Sequence, residues 1–373
     1  MVLKKIIATA AAVLIAAGAG VCAASPTAAA DTTAKAEKSG VYKYIPTFHG
    51  VMRAVYELST APSTEGRGGG SSRFFLRNAR LSVGGFILPG VDYFMQADFC
   101  DRGSFKFLDG YIRLTPHRNL RIFAGQMRVP FSVEATRSPG ALYFINRAFA
   151  ARDLGNLRSV GVKAGYTLPT PAGEVYAEGG VFNSTDLSEQ SRWQKGMTYS
   201  IKARLTAKSR AGVFTPEAAF MSRLPGGKGR GTRVNQWDLA LGWKYDRWYV
   251  DCEVIGRHYT NSGRDDALGW SVFADYALPV EWWHFNTLSF QGRFDGMNDA
   301  SNGKYDPESG LLATDFPSRR RITAGATLTY SLAKVRLDLR INYEQYFYAS
   351  ETAADAASPS DNSKLVAGAI ICF

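Results

Sequence analysis

Lys334-Val335-Arg336-Leu337-Asp338-Leu339-Arg340-Ile341-Asn342-Tyr343-Glu344 alternates apolar with charged or amide residues along its whole length. Side chains of an extended chain point to opposite faces at a period of two. Val335, Leu337, Leu339, Ile341 and Tyr343 therefore share one face, and Arg336, Asp338, Arg340, Asn342 and Glu344 the other. Charges at every second position cannot sit unpaired in a dry core. That face must meet water, and the opposite face must meet something apolar.

The pattern recurs along most of the chain. In Thr198–Thr206, Tyr199, Ile201, Ala203 and Leu205 oppose Ser200, Lys202 and Arg204. In Val91–Phe99, Val91, Tyr93, Met95, Ala97 and Phe99 oppose Asp92, Gln96 and Asp98. The last residues, Ser363–Phe373, place Leu365, Ala367, Ala369, Ile371 and Phe373 on one side. Segmenting on this alternation predicts strands near 46–58, 72–87, 91–100, 105–115, 119–127, 157–168, 173–183, 197–207 and 213–223. Seven more follow near 233–245, 247–257, 268–278, 284–295, 319–330, 333–346 and 363–373. Each is close to the roughly ten residues that a tilted membrane strand requires.

Connections after even-numbered strands are tight, such as Leu88-Pro89-Gly90, Pro169–Ala172 and Ser331-Leu332. Most of those after odd-numbered strands are long and polar, such as 59–71, 184–196, 296–318 and 347–362. Such sorting is the asymmetry of an outer-membrane barrel, with short turns on the periplasmic side and long loops outside. A soluble sandwich has no reason for it. The expectation is an all-β transmembrane antiparallel barrel of about 16 strands, with both termini periplasmic. Trp243, Tyr245, Trp248, Trp282, Trp283, Tyr330 and Tyr343 are candidates for its interfacial aromatic girdle.

The amino terminus fits this address. Lys4 and Lys5 precede an apolar run, Ile6–Val21, and then small residues, the layout of a secretory signal. Cleavage is expected after residue 23 or 30. Residues 31–44 then form a short periplasmic segment and 45–373 the barrel. Removing residues 1–30 takes away two lysines, lowering the formal charge from +11 to +9. Three unpatterned cysteines then remain, Cys100, Cys252 and Cys372, and the chain has only four histidines. Neither a disulfide framework, a metal site nor a bound cofactor is expected. His49, His117, His258 and His284 lie in unrelated segments without a Gly-x-Ser-x-Gly elbow, so no enzyme is expected.

One long connection is built unlike the others. After Gly125-Gln126-Met127-Arg128-Val129-Pro130-Phe131 comes a stretch containing Phe144, Phe149, Arg137, Arg147 and Arg152. Apolar content of that kind packs against protein, and in a barrel the empty place is the lumen. This third external loop is expected to fold in and narrow the pore. Arg128, Arg137, Arg147 and Arg152 outnumber Glu134 and Asp153 there. With wall residues Arg113, Arg121 and Lys163 they are the candidate anion contacts.

Arg73-Phe74-Phe75-Leu76-Arg77-Asn78-Ala79-Arg80-Leu81, Val91-Asp92-Tyr93 with Gln96-Ala97-Asp98-Phe99, and Leu108-Asp109-Gly110-Tyr111-Ile112-Arg113 form successive blocks. Gly125–Ser132 and Asn156–Gly165 continue them. Over roughly residues 45–185 these resemble the phosphate-selective porin O/P family. The resemblance implies a sixteen-stranded, trimeric diffusion channel whose third loop enters the pore, and a preference for anions with phosphate held by basic residues.

The inner wall read from the clean strands is more mixed. Arg53, Arg113, Arg121, Lys163, Lys202, Arg204, Arg257, Arg293, Arg336 and Arg340 are nearly balanced by Glu57, Asp92, Asp98, Asp109, Asp251, Glu253, Asp275, Asp295, Asp338 and Glu344. A mixed wall concentrates anions weakly, so the expected function is passive diffusion of small hydrophilic solutes with weak anion preference. The alternatives are a narrow substrate-specific channel, or a structural or enzymatic barrel. Expected partners are membrane lipid, lipopolysaccharide, the barrel-assembly machinery and two further copies of the chain, with no role for nucleic acid. In strand two, Arg77 and Arg80 fall on opposite parities, so alternation alone leaves open which is wet.

Overall fold

The computed structural model describes residues 44–62, 69–185, 187–224, 232–260, 263–305, 312–350 and 357–373. The expected leader and all but the last residue of the 31–44 segment lie outside these. Strands β1 (Thr47–Ser59), β2 (Ser71–Leu88), β3 (Val91–Asp101), β4 (Ser104–His117), β5 (Leu120–Arg128) and β6 (Arg158–Thr170) open the chain. β7 (Gly173–Asn183), β8 (Met197–Ser209), β9 (Gly212–Arg223), β10 (Val234–Tyr245), β11 (Trp248–Tyr259), β12 (Ala267–Trp282) and β13 (Phe285–Met297) follow. A short hairpin, β14 (Ala300–Tyr305) and β15 (Leu312–Phe316), precedes β16 (Arg319–Leu332), β17 (Val335–Tyr348) and β18 (Lys364–Cys372).

Sixteen of these close into one antiparallel ring in sequence order, with β1 against β18 and β13 against β16. β14 and β15 pair only with each other, an addition within the expected 296–318 loop that its polarity did not reveal. The connections after β2, β4, β6, β8, β10, β12 and β16 are two-residue turns. At the other end, β3 to β4 is equally short, Arg102–Gly103, and the remaining connections are long. The seam joins the two ends of the chain. Gly50 N donates to Phe373 O at 2.8 Å and Phe373 N to Gly50 O at 2.9 Å. A Cβ on Gly50 would lie 2.3 Å from the Phe373 ring, so any larger residue there would push that ring aside.

The alternation sorts the two faces as physics requires. Val162, Ile201, Leu239 and Phe290 on the outer face are more than half exposed, whereas Lys202, Gln236, Asp238, Gln291 and Arg293 on the inner face are buried. No helix among the described residues is long and apolar enough to cross a membrane; a closed ring instead satisfies its backbone without edges. Trp243, Tyr245, Trp248, Trp282, Trp283 and Tyr330 gather at the two-residue-turn end, as a girdle would. Tyr343 does not join them: it lies mid-strand opposite Ala324 and Leu365.

Candidate channel constriction

Residues 129–157 leave β5 and return to β6, their base tied by Val129 N to Leu157 O at 3.2 Å. Within them are a one-turn helix α1 (Val133–Thr136), a tight turn (Pro139–Ala141) and a π-helical turn (Ala150–Gly155). Ser132 starts α1 with φ +62°, a strained value for a residue bearing a Cβ. Its Oγ accepts from Ala135 N at 3.1 Å as a cap and donates to Glu253 Oε1 on β11 at 2.7 Å. Val133 N reaches the same carboxylate oxygen at 2.6 Å. Two bonds to a buried carboxylate hold the unusual backbone in place.

Further along, the segment bonds to inward-facing side chains on strands far apart in the ring. Ser200 on β8 donates to Pro130 O at 2.5 Å, and Gln236 on β10 to Leu154 O at 2.7 Å. Asn342 on β17 accepts from Ile145 N at 2.9 Å, and Asp295 on β13 from Phe149 N at 3.0 Å. Wall arginines satisfy its carbonyls: Arg53 that of Ile145, Arg293 that of Asn146, Arg321 that of Arg147, and Arg340 that of Leu142. Phe131, Phe149, Ala150 and Leu154 form an apolar cluster with Met221, Ile255, Ala267, Met297 and Tyr346 of the wall. Segment and wall thus share a packed core on the β8 to β17 side.

The seven candidate contacts separate into different settings. Arg137 is bonded to Asp251 and, at 2.8 Å, to the Tyr249 hydroxyl, within 5.7 Å of the Tyr143, Tyr249 and Phe273 ring centroids. Burial works against its charge, but Asp251 overrides that and holds its pKa above the ordinary value. Arg152 pairs with Asp153 at 2.8 Å and Asp361 at 2.7 Å. Lys163 pairs with Glu178 at 2.7 Å and Arg113 with Asp92 at 2.9 Å. Arg121 lies on β5 opposite Gly165 of β6. Arg128 and Arg147 differ, since both donate to backbone carbonyls: Arg128 to Ala135, and Arg147 to Glu134 and Arg137.

Those two belong to a larger group. Arg53, Arg77, Arg80, Arg128, Arg147 and Arg158 lie on β1, β2, β5, β6 and the segment between the last two. Among the described residues, two of the six form ion pairs, Arg80 with Asp98 at 2.8 Å and Arg158 with Asp109 at 3.0 Å. The other four hold neutral oxygens, so among the described residues no direct ion pair cancels their charge. Burial, reinforced by Arg80, Arg158 and Arg77 and opposed by Glu134, lowers Arg147 to about 10, still charged at neutral pH.

Arg77, Arg80 and Arg158 were not among the candidates, and the reason is geometric. β1 pairs Arg53 with Asn78 but Ala54 with Leu76, which makes Arg77 an extra residue in β2. A bulge of this kind shifts the parity of the strand. Arg73, which pairs with Glu57, and Arg77 face inward before the slip, and Asn78 and Arg80 after it. Both arginines of the ambiguous pair are therefore inside. The doublet Arg77-Asn78 flanked by polar residues on both parities was the available signal.

The model of a family described as phosphate-selective porin O and P matches residues 56–236. A search of curated proteins gives no match. Among solved structures, an anion-selective porin from Comamonas acidovorans aligns with 88% of this chain and 99% of its own, at TM-score 0.57 and 13% identity. OmpF of Salmonella typhi, in complex with daunomycin, aligns with 89% and 98% at TM-score 0.59 and 13% identity. A trimer form of OmpT, an outer membrane protein of Vibrio cholerae, aligns with 88% and 98% at TM-score 0.53 and 10% identity. At such identities the likeness is one of fold.

Proposed function

From the match of residues 56–236 to the phosphate-selective porin O and P family, we propose that residues 129–157 cross the inside of the barrel and frame, with β1, β2, β5 and β6, an anion-preferring constriction. Family and fold together make the protein an outer-membrane channel for small solutes. The proposal is what narrows that channel and what it favours. That reading is supported by bonds from this segment, anchored at β5 and β6, to inward-facing side chains on β1, β8, β10, β11, β13 and β17 of a closed ring. In this reading the passage left beside the segment is bordered by the six arginines.

The observation that carries the preference is that four of those guanidiniums bond only neutral acceptors. Desolvated, uncancelled positive charge at a narrowing raises the local concentration of anions. Reversal potentials in asymmetric KCl across planar bilayers test it: anion preference is expected, and clear cation preference overturns it. Phosphate is the anion to which the family points. Block of chloride current by added inorganic phosphate marks a binding station, whereas plain additivity marks a general anion pore. The dense filling by Ile145, Phe149 and Ala150, all fully buried, favours a narrow passage over a wide one. The same reading places the two-residue turns and both termini in the periplasm, lipid and lipopolysaccharide around the outer face, and three copies in the working assembly. Recognition by the barrel-assembly machinery would precede all of these.

A further inference from the structure

Two asparagines among the constriction residues stand in the same chemical position. Asn146 Nδ2 donates to Glu344 Oε1 at 2.9 Å while its Oδ1 accepts from Arg77 Nη1. Asn78 Nδ2 donates to Asp98 Oδ2 at 2.7 Å while its Oδ1 accepts from Arg53 Nη1 at 3.3 Å. One lies in the segment between β5 and β6 and the other in the wall, yet each joins an arginine to a carboxylate. Both are buried, at 8% and 4% exposure, so water does not substitute for either contact.

The chemistry of these contacts restricts what can stand there. A guanidinium only donates and an ionised carboxylate only accepts. A primary amide carries one group of each kind, and it satisfies both neighbours without adding charge. With a carboxylate at one end and a guanidinium at the other, the orientation of each amide is determined. Were the acid to touch the arginine directly, the pair would be neutralised, as happens at Arg80 with Asp98 and at Arg158 with Asp109. Glu344 is instead engaged by Arg321 at 3.2 Å and Asp98 by Arg80, so the acids are satisfied elsewhere.

We propose that Asn78 and Asn146 are the positioning residues of anion selectivity, neutral spacers that orient Arg53 and Arg77 while keeping Asp98 and Glu344 from cancelling their charge. This rests on the reading of residues 129–157 as an anion-preferring constriction. Arg77 is the part-exposed member that meets the permeant, and Arg53, nearly sealed, contributes through its field.

The experiment is the reversal potential of the full-length channel in asymmetric KCl, for wild type, Asn146→Asp, Asn78→Asp and Asn146→Gln. Asn146→Asp is isosteric and sets a charge against Arg77. It should lower the chloride-to-potassium permeability ratio by about two-fold, the order expected for one partly screened charge. Asn78→Asp should shift it the same way by less. Asn146→Gln, neutral but larger, should retain more of the preference than the Asp variant. The Asp effect should also shrink as salt is raised, which a purely structural defect would not do. A wild-type channel without anion preference overturns the constriction reading itself. An anion-preferring wild type whose two Asp variants match it overturns only the spacers, as does a Gln variant as damaging as Asp. Should Asn146→Asp fail to assemble, Asn78→Asp carries the same comparison.

Discussion

Arginine has two roles inside this barrel, and the residue scale separates them. Arg53, Arg293, Arg321 and Arg340 donate to carbonyls of residues 142–147, holding backbone that no sheet pairs. Arg77, Arg128 and Arg147 also end on neutral oxygens, but in the proposed constriction they border the passage. Replacing Arg77 and Arg147 with Ala should therefore move the reversal potential toward zero. Arg137→Ala combined with Asp251→Asn should leave its sign alone, because those two charges already match. Arg340→Ala should act differently, leaving the Leu142 carbonyl unpaired at a cost of about 1–3 kcal/mol. Its expected signature is more open-channel noise without a change of sign in selectivity. The sequence showed Arg128 and Arg147 as surplus charge in an unusual segment. It could not show that Arg137, Arg152, Lys163 and Arg113 have carboxylate partners, because those partners come from elsewhere in the fold, as Asp251 and Asp361 do.

At the scale of elements, the strands were legible because each must have one wet and one apolar face. All sixteen barrel strands fall near the expected positions, with ends displaced by a few residues, as where β12 runs on to Trp282. What alternation cannot encode is a slip in pairing. The extra residue at Arg77 changes parity within β2, and the register with β1 alone reveals it. Residues 129–157 were legible as apolar and basic, but not their anchors, because those bonds run to residues as much as 209 positions away. The segment's own stability rests on few side chains. Phe149 is fully buried against Tyr346, with its ring centroid 5.8 Å away, and beneath the guanidiniums of Arg319 and Arg321. Phe149→Ala should cost the docked segment about 3–5 kcal/mol. Limited proteolysis of the detergent-solubilised protein should then cut within 129–157, where wild type resists.

For the whole molecule, the segment is also tied to the connection between β17 and β18. Arg152 bridges Asp153 and Asp361, and Arg319 reaches Asp153 at 2.6 Å. Burial pushes the Asp361 carboxyl up, but Arg152 outweighs it and holds the pKa below the usual range. A carboxylate depressed in the folded state adds stability above its unfolded pKa and loses it as pH falls through the lower folded value. The tie should therefore hold at neutral and mildly acid pH and release only in stronger acid. Single-channel recordings across that range should show new subconductance steps there, and Asp361→Asn should show them already at neutral pH.

The seam between Gly50 and Phe373 has a consequence for how the molecule comes into being. The strand that closes the ring is the last of its sixteen along the chain, and its partner is the first. Until β18 arrives, β1 presents a row of unpaired amides and carbonyls, the kind of edge that recruits stray strands from other chains. In the closed ring that edge belongs to β18, so it stays open until β18 pairs with it. Whatever escorts the chain must mask that edge throughout and yield it to one late competitor. Deleting Phe373 should thus leave the finished barrel's heat resistance in gel mobility nearly intact while slowing its appearance, a defect of timing more than of stability.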